Sequence, residues 1–195
     1  MFIAFEGLDG SGSTTQSKLL TEKLSKAGHS VLTTKEPTSS NPIGKTIREV
    51  LQHQWKAPAE GLQLLFSADR AQHLNDEIKP ALNQGKIVIT DRYILSTLAF
   101  GALEVDMEWL ATLNKPFIQP DLTFLLRLDP KICLERIEKR GGAVELFEQQ
   151  EKLEKVWENY EAGTKYFKNI HLIEANQSIE AIAEEVFEIT SKHLN

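Results

Sequence analysis

Short apolar runs alternate along this chain with longer amphipathic stretches. The runs are rich in Val, Ile, Leu, Phe and Thr and are flanked by polar or turn-forming residues, which is typical of β-strands. We expect strands at Phe2–Glu6, Ser30–Thr34, Lys86–Thr90, Leu122–Leu128 and Ile170–Glu174. Because strands that alternate with helical patterns form βαβ units, the sequence predicts an α/β fold built on a five-stranded parallel sheet.

Helical periodicity is clear in three of the longer stretches. Apolar positions recur at three- and four-residue steps, which predicts helices at Thr14–Ala27, Glu60–Gln84 and Glu145–Tyr160. The last helix carries a stripe that we interpret as its core-facing side. The residues of this stripe are Leu146, Gln150, Leu153, Val156, Trp157 and Tyr160.

Two segments interrupt the regular pattern. EPTSSNP, Glu36–Pro42, is typical of a loop, and RGG, Arg140–Gly142, breaks a helical pattern with two consecutive glycines, which indicates a hinge or the base of a lid. No linker divides the 195 residues. We therefore expect a single domain, 1–195, with a lid at about 140–150.

Composition and charge narrow the class of protein. Hydrophobic residues at 41% and charged residues at 26% are ordinary for a globular protein, and no apolar run approaches the ~18 residues that span a bilayer. The start, MFIAFEGLDG, has no basic leader, so we expect no secretory signal and a cytoplasmic location. A net charge of -6 argues against nucleic-acid and membrane-surface partners. Cys133, the one cysteine, is interpreted as a buried structural thiol.

The stretch FEGLDGSGSTTQ, Phe5–Gln16, matches a phosphate-binding loop except for its lysine. The pattern GxxxxGK[ST] is met by Gly7, Gly12 and Thr14, but serine stands at position 13. Backbone amides at the start of the following helix can still hold a diphosphate, and Thr14 can place its hydroxyl on Mg²⁺. For this stretch alone, a tight strand-to-helix turn without a ligand remains an equal alternative.

Two further stretches carry candidate chemistry. In TDRY, Asp91 and Arg92 follow an apolar strand and should lie at the carboxyl edge of the sheet, where they suit Mg²⁺ and a phosphate. In LLFSADRAQH, Phe66, Arg70 and His73 share one helical face, which suits stacking on a base and hydrogen bonding to its edge. A surface ion pair in the first stretch and core packing of Phe66 in the second are the alternatives.

Six blocks of the sequence together resemble the thymidylate kinases, in the order and spacing of that family. They are FEGLDGSG..TQ, EP at Glu36–Pro37, IGKTIR at Ile43–Arg48, LLFSADRAQH, TDRYILST at Thr90–Thr97 and PDLTFLLRLDP at Pro120–Pro130. The resemblance covers roughly residues 2 to 175. It implies a three-layer P-loop kinase fold, with helices on both faces of the sheet, that transfers the γ-phosphoryl group of ATP to dTMP for dTTP biosynthesis. It also implies Mg²⁺ and, usually, a homodimer.

The resemblance assigns the ATP site mainly to the glycine-rich loop. The residues expected to bind ATP are Gly7, Gly10, Ser11, Gly12, Ser13, Thr14, Thr15 and Asn176. Among them, Asn176 and the preceding Ala175 resemble the loop that borders adenine. Thr14 and Asp91 are expected to hold Mg²⁺.

The resemblance assigns the dTMP site to several other segments. The residues expected to line it are Asp9, Glu36, Arg48, Phe66, Arg70, Arg92, Ser96, Thr97 and Phe100. Phe66 would stack on thymine, and Arg70 would bond the thymine edge with help from Thr97. Arg92 would bridge the acceptor phosphate toward the donor, so Arg92 and Asp9 also count as catalytic. Phe100 replaces a frequent tyrosine that crowds the sugar 2′ position, and a phenyl ring can still exclude ribose.

The chain departs from the family pattern at two cations. Members with glycine at the position of Gly10 usually supply a catalytic arginine from a lid stretch resembling RGxxDRxE, but here the stretch is RGGAVELFE. With Ser13 in the loop, two positive charges near the γ-phosphate are missing, and such charges are worth ~10³-fold or more each. We expect Arg140, with Arg136 or Lys139, to replace them by closing over the donor phosphates. Solvated surface charges on this helix are the alternative.

An active dTMP kinase is therefore the leading interpretation, and two others stay open. A catalytically weak or silent nucleotide-binding protein would keep the loop and the thymine site and sense dTMP or dTTP. A kinase of another nucleotide is less favoured, because Phe66, Arg70 and Thr97 match a site for a pyrimidine.

The lid hypothesis predicts the effect of one substitution. Arg140→Ala should lower turnover of dTMP at least ~100-fold, because it removes a cation from the transferring phosphoryl group. ADP release in a coupled assay measures this, and a mild loss would contradict the role given to Arg140.

Overall fold

The computed structural model describes residues 1–141 and 150–194, apart from the side chain of Arg140. Its strands form one sheet in the order β2-β3-β1-β4-β5. They are β1 (Phe2–Gly7), β2 (Val31–Lys35), β3 (Ile87–Asp91), β4 (Leu122–Arg127) and β5 (Ile170–Glu174). All neighbouring strands run parallel, so their carboxyl ends share one edge of the sheet. The predicted five-stranded parallel sheet is confirmed, with each strand end within about one residue of its expected place.

Helices cover both faces of this sheet. Within the described ranges they are α1 (Ser13–Lys26), α2 (Pro42–Leu51), α3 (Ala59–His73), α4 (Lys79–Asn83), α5 (Ile94–Gly101), α6 (Met107–Asn114), α7 (Pro130–Arg140), α8 (Gln150–Gly163) and α9 (Ile179–Leu194). Strand β1 shows the layering, because successive side chains point to opposite faces. Ile3 and Phe5 join one apolar cluster with α1, α8 and α9. Phe2 and Ala4 join another with α4 and α6. The three-layer fold is confirmed.

The helix predicted over Glu60–Gln84 is found from Ala59 to Asn83, but its middle is not α-helical. Leu74–Ile78 forms a π-helical turn between α3 and α4, and the Lys79 amide donates to the Leu74 carbonyl. Pro80 follows directly, lacks an N–H and would clash with the carbonyl four residues earlier in a regular α-helix. The wider turn accommodates this proline without ending the helix.

The two predicted interruptions are found close to their expected positions. The loop after β2 ends at Asn41, whose side-chain oxygen accepts from the Gly44 amide at 2.9 Å, and Pro42 already begins α2. Helix α7 ends at Arg140, and Gly141 takes the left-handed backbone with φ 71°. The rest of the predicted lid lies outside the described residues.

The stripe predicted on α8 does face the core. Leu153, Val156 and Tyr160 are fully buried, whereas Gln150 is exposed. Leu146 and the predicted first turn of this helix lie outside the described residues.

Cys133 is also buried, and burial raises the pKa of its thiol to about 12, as expected for a structural cysteine. Among the described helices, none has the length and apolar character needed to cross a bilayer.

One pair of leucines tests how the sheet is stabilised. Leu125 on β4 and Leu172 on β5 are neighbours in register, but Leu125 is 1% exposed and Leu172 is 47% exposed. Leu125→Ala should lower the free energy of unfolding by about 2–5 kcal/mol, because it leaves a cavity in the core. Leu172→Ala, the matched control, should cost less than half of that in chemical denaturation. Equal losses would contradict this assignment of the core.

Candidate functional site

Two adjoining cavities open at the carboxyl edge of the sheet. The loop cavity, about 480 Å³, is lined by the glycine-rich loop and the start of α1. The aromatic cavity, about 210 Å³, is lined by Phe66, Phe100 and several cationic side chains. Asp9, Lys35 and Arg92 line both cavities. These three side chains therefore mark the boundary where a group could pass from one cavity to the other.

The glycine-rich loop has the shape of a phosphate cradle. Gly10 has φ 82°, and a Cβ atom there would lie 2.6 Å from the Cys133 carbonyl oxygen. Gly12 precedes α1 with φ 103°. The first amides of a helix have no partner within the helix and lie at its positive end. The predicted strand, loop and helix are thus in place, and the site can receive an anion.

Asp91 joins the loop to the sheet. Its carboxylate accepts from the Ser13 hydroxyl at 2.7 Å and from the Thr14 hydroxyl at 2.5 Å. Lys35 donates to the same carboxylate at 3.0 Å. Burial of Asp91 opposes its ionisation, but Lys35, Arg92 and the two hydroxyls outweigh burial and hold the pKa of Asp91 below its ordinary value. Ser13 therefore points to Asp91, and the predicted metal ligands Thr14 and Asp91 lie side by side.

Arg92 is held rigidly between the two cavities. Its guanidinium donates to Asp9 at 2.8 Å and to the Gly7 carbonyl at 3.0 Å, and it lies 5.0 Å from the centre of the Phe100 ring. Its backbone has φ 73°, which is unusual for a residue other than glycine. Burial opposes the charge, but Asp9 and other neighbouring groups raise the pKa of Arg92 above its ordinary value. The cation is permanent and fixed in position.

Glu6 lies beneath Arg92 in a buried network. Its carboxyl group accepts from the Tyr93 amide at 3.0 Å and from the Ser96 hydroxyl. Tyr160 bonds Ser96 at 2.8 Å and the Gly7 carbonyl at 3.0 Å. Burial raises the pKa of Glu6, although Ser96 and Arg92 partly oppose this. Arg92 donates to the Ser96 hydroxyl at 3.0 Å, so Ser96, which was expected to line the dTMP site, connects Arg92 with Glu6.

Arg70 forms the floor of the aromatic cavity. It is 1% exposed, and it donates to Glu36 at 2.9 Å, to Thr97 at 2.9 Å and to Asn114. His73 contacts the second oxygen of Glu36 at 3.1 Å. The structure therefore brings together Glu36, Arg70 and Thr97, which are far apart in the sequence.

The wall of the aromatic cavity includes Arg48, a cation that can still donate a hydrogen bond to a ligand. Arg48 on α2 donates to the Pro37 carbonyl at 3.0 Å, while its Nε atom is buried and has no hydrogen-bond partner among the described residues. The loop that holds Pro37 is itself fixed by Asp69, which accepts from the Thr38 amide at 2.8 Å and its hydroxyl at 2.6 Å. Half-buried Phe66 lies beside Arg48 in the cavity wall.

The remaining predicted residues lie around the loop cavity. Arg136 donates to the Gly10 carbonyl at 3.3 Å and lines the cavity, and Lys139 is exposed on the same helix. The role expected of Arg140 lies outside the described residues. Asn176 is exposed between β5 and α9, where Ala175 and Gln177 line the cavity, so its contact with adenine stays a prediction.

Sequence reasoning missed several residues of the site. Lys35, Glu6 and Asn114 all contact predicted site residues, and Asp69 holds the loop that carries Pro37 through its bonds to Thr38. Lys35 immediately precedes the EP block, and that position was the only available signal for it. Glu6 has no local signal, because a glutamate at the end of an apolar strand does not reveal that it is buried.

The comparisons with known proteins agree with one another. The family model described as thymidylate kinase matches residues 5–186. A probable thymidylate kinase of Pyrococcus horikoshii is 41% identical over 199 residues, which cover 99% of this chain and 97% of the relative. One from Sulfolobus acidocaldarius is 41% identical, with 99% and 97% covered. A putative thymidylate kinase of Treponema pallidum is 37% identical, with 99% and 92% covered.

The buried carboxyl of Glu6 predicts a dependence of stability on pH. Its pKa is raised in the folded state above the ordinary value of 4.5, so its contribution to stability is present below that value and is lost as pH rises through the raised pKa. Glu6→Gln keeps a neutral side chain. As pH rises from 4.5 through the raised pKa, the free energy of unfolding of the unaltered protein should therefore fall relative to that of Glu6→Gln.

Urea denaturation at several pH values measures this difference. Exposed Glu188→Gln, which also replaces one glutamate, is the control. A difference between the unaltered protein and Glu6→Gln that does not change with pH would contradict the raised pKa of Glu6.

Proposed function

This chain belongs to the thymidylate kinase family, and we propose that it transfers the γ-phosphoryl group of ATP to dTMP across the boundary between the loop cavity and the aromatic cavity. The observation that carries this proposal is the shared wall of the two cavities, formed by Asp9, Lys35 and Arg92. A donor in one cavity and an acceptor in the other would meet at these charged groups. The products are ADP and dTDP, which leads to dTTP.

The aromatic cavity is the proposed dTMP site. Phe66 offers a ring for stacking on thymine, and Arg70 with Thr97 lies at the depth where the base edge would be bound. Arg48, whose Nε atom has no hydrogen-bond partner among the described residues, and Arg92 supply positive charge for the acceptor phosphate. Phe100, stacked on Arg92, limits the space beside the sugar. Glu36 and Asp9 then complete the wall near the sugar and phosphate.

The loop cavity is the proposed ATP site, and its residues also suit Mg²⁺. The hydroxyl of Thr14 and the carboxylate of Asp91 are oxygen donors at the mouth of the cradle. No group of three or more His, Cys, Asp or Glu side chains able to hold a metal occurs among the described residues. This suits Mg²⁺, which is usually held by one or two carboxylates together with substrate phosphates. When bound, Mg²⁺ supplies charge neutralisation at the donor phosphates.

The side chains act in this reaction by positioning and by charge. The acceptor phosphate of dTMP attacks the γ-phosphorus in line, a P–O bond to ADP breaks, and no side chain forms a covalent bond. Arg92 is held by Asp9 and Gly7 at the shared wall, so its cation needs no rearrangement during the transfer. Arg136 lies against the loop, and Arg140 would join it on closure. A homodimer and a cytoplasmic location also stay predictions.

The proposal predicts ordinary kinase turnover. With Mg-ATP and dTMP, the unaltered protein should release ADP at ~1–100 s⁻¹ in a coupled assay. dUMP and dCMP serve as comparison substrates, because Phe66, Arg70 and Thr97 form a site suited to a pyrimidine and do not by themselves select thymine. A reaction without dTMP measures background hydrolysis of ATP.

The variant Ser13→Lys separates two causes of low activity. If the unaltered protein binds dTMP without turnover and Ser13→Lys is active, the site is intact but lacks a cation. If both bind dTMP and neither turns it over, the proposed kinase activity is contradicted.

A further inference from the structure

We propose that Lys35, at the end of β2, supplies the positive charge at the donor phosphates that the glycine-rich loop lacks at Ser13. The inference rests on the proposed function and goes beyond it, because it assigns this charge to a strand outside the loop. Lys35 is then a catalytic residue, since its ammonium group would touch the transferring phosphoryl group.

The placement of Lys35 follows from the register of the sheet. Lys35 on β2 pairs with Asp91 on β3, and side chains paired in register project from the same face. The same Asp91 carboxylate binds Ser13 and Thr14 at the start of α1. The ammonium group of Lys35 and the hydroxyl of Ser13 are therefore joined through a single carboxylate. A lysine at position 13 would extend from this same point.

The exposure of Lys35 suits a ligand contact. Its side chain is 50% exposed, whereas that of Asp91 is 4% exposed. Lys35 lines both cavities, so its side chain lies beside the space in which a phosphoryl group would be transferred. A lysine carries a compact charge on a flexible four-carbon stem, which allows it to keep one partner and reach another.

The other cations near the boundary have different positions. Arg92 is paired with Asp9, and Arg70 is paired with Glu36 on the floor of the aromatic cavity. Arg48 lines the aromatic cavity but not the loop cavity, and Arg136 lines the loop cavity but not the aromatic cavity. Among the described residues, Lys35 is the lysine that lines both cavities. Lys35 therefore has both the type of charge and the position that are needed to replace the missing loop lysine.

The test uses the complete chain and compares Lys35→Met with Lys168→Met. Lys168 is exposed and lies just before β5, at the opposite edge of the sheet, so its loss changes the net charge equally without touching the site. Lys35→Met should lower kcat at least ~100-fold. Its Kd for dTMP should stay within about threefold of the original, and Lys168→Met should stay near the unaltered protein in both measurements.

Binding of adenine nucleotides, measured by calorimetry, gives a second result that does not depend on turnover. Lys35→Met should bind adenylyl imidodiphosphate, a non-hydrolysable ATP analogue, about tenfold more weakly than the unaltered protein, with a smaller change for ADP. This comparison stays informative if the unaltered chain shows no dTMP kinase activity, so a failure of the proposed function is distinguishable from a failure of the role of Lys35.

Rescue decides between a phosphate contact and mere support of Asp91. Lys35→Met combined with Ser13→Lys should recover kcat to within about tenfold of the unaltered protein, because the charge returns from the loop side. Lys35→Arg should keep more activity than Lys35→Met. Unchanged kcat and analogue binding in Lys35→Met would overturn the proposal. Equal weakening of ADP and the analogue, without rescue by Ser13→Lys, would also overturn it and would assign Lys35 to positioning Asp91.

Discussion

The buried carboxylate of Asp91 is the constraint on which the arrangement of the site depends. A carboxylate that is removed from water is costly unless donors surround it. Here the donors come from Ser13 and Thr14 on one side and from Lys35 on the other. The hydrogen bonds to this one carboxylate therefore fix the start of α1 against the end of β2. The shape of the glycine-rich loop depends in this way on a strand that is distant in sequence.

Charge pairing explains how a chain with a net charge of -6 can offer sites to two phosphate-bearing nucleotides. The most buried cations are matched by carboxylates, Arg92 by Asp9 and Arg70 by Glu36. Buried pairs of this kind contribute geometry more than stability, because desolvation offsets much of their attraction. In contrast, the only hydrogen bond that the Arg48 side chain makes among the described residues is to the Pro37 carbonyl. The unbalanced positive charge is therefore local and lies where the phosphates are expected.

Sequence reasoning succeeded where the signal is local and failed where it depends on distant pairing. The strands were predicted because each is a short apolar run, and Asp91 and Arg92 because they directly follow one. The π-helical turn was missed because apolar periodicity continues through Leu74 and Ile78, although Pro80 is visible in the sequence. Lys35 was missed because its contact with Asp91 requires the register of β2 on β3. The sequence instead indicates the lid as the source of the missing cation, because the lid is the other stretch that departs from the family pattern.

Electrostatic stabilisation fixes where a charge must lie in space, but it does not fix which residue supplies it. Position 13 and position 35 meet at Asp91, so a lysine at either one can place an ammonium group at the same mouth of the cradle. Lysines at both positions would place two positive charges beside one carboxylate, and each charge would disfavour the charged form of the other lysine. Serine at position 13 is then compatible with an intact site: it keeps a hydrogen bond to Asp91 and leaves room for Lys35. Under this view the loop and β2 form one phosphate site, and the loop motif is only the part of it that is contiguous in sequence.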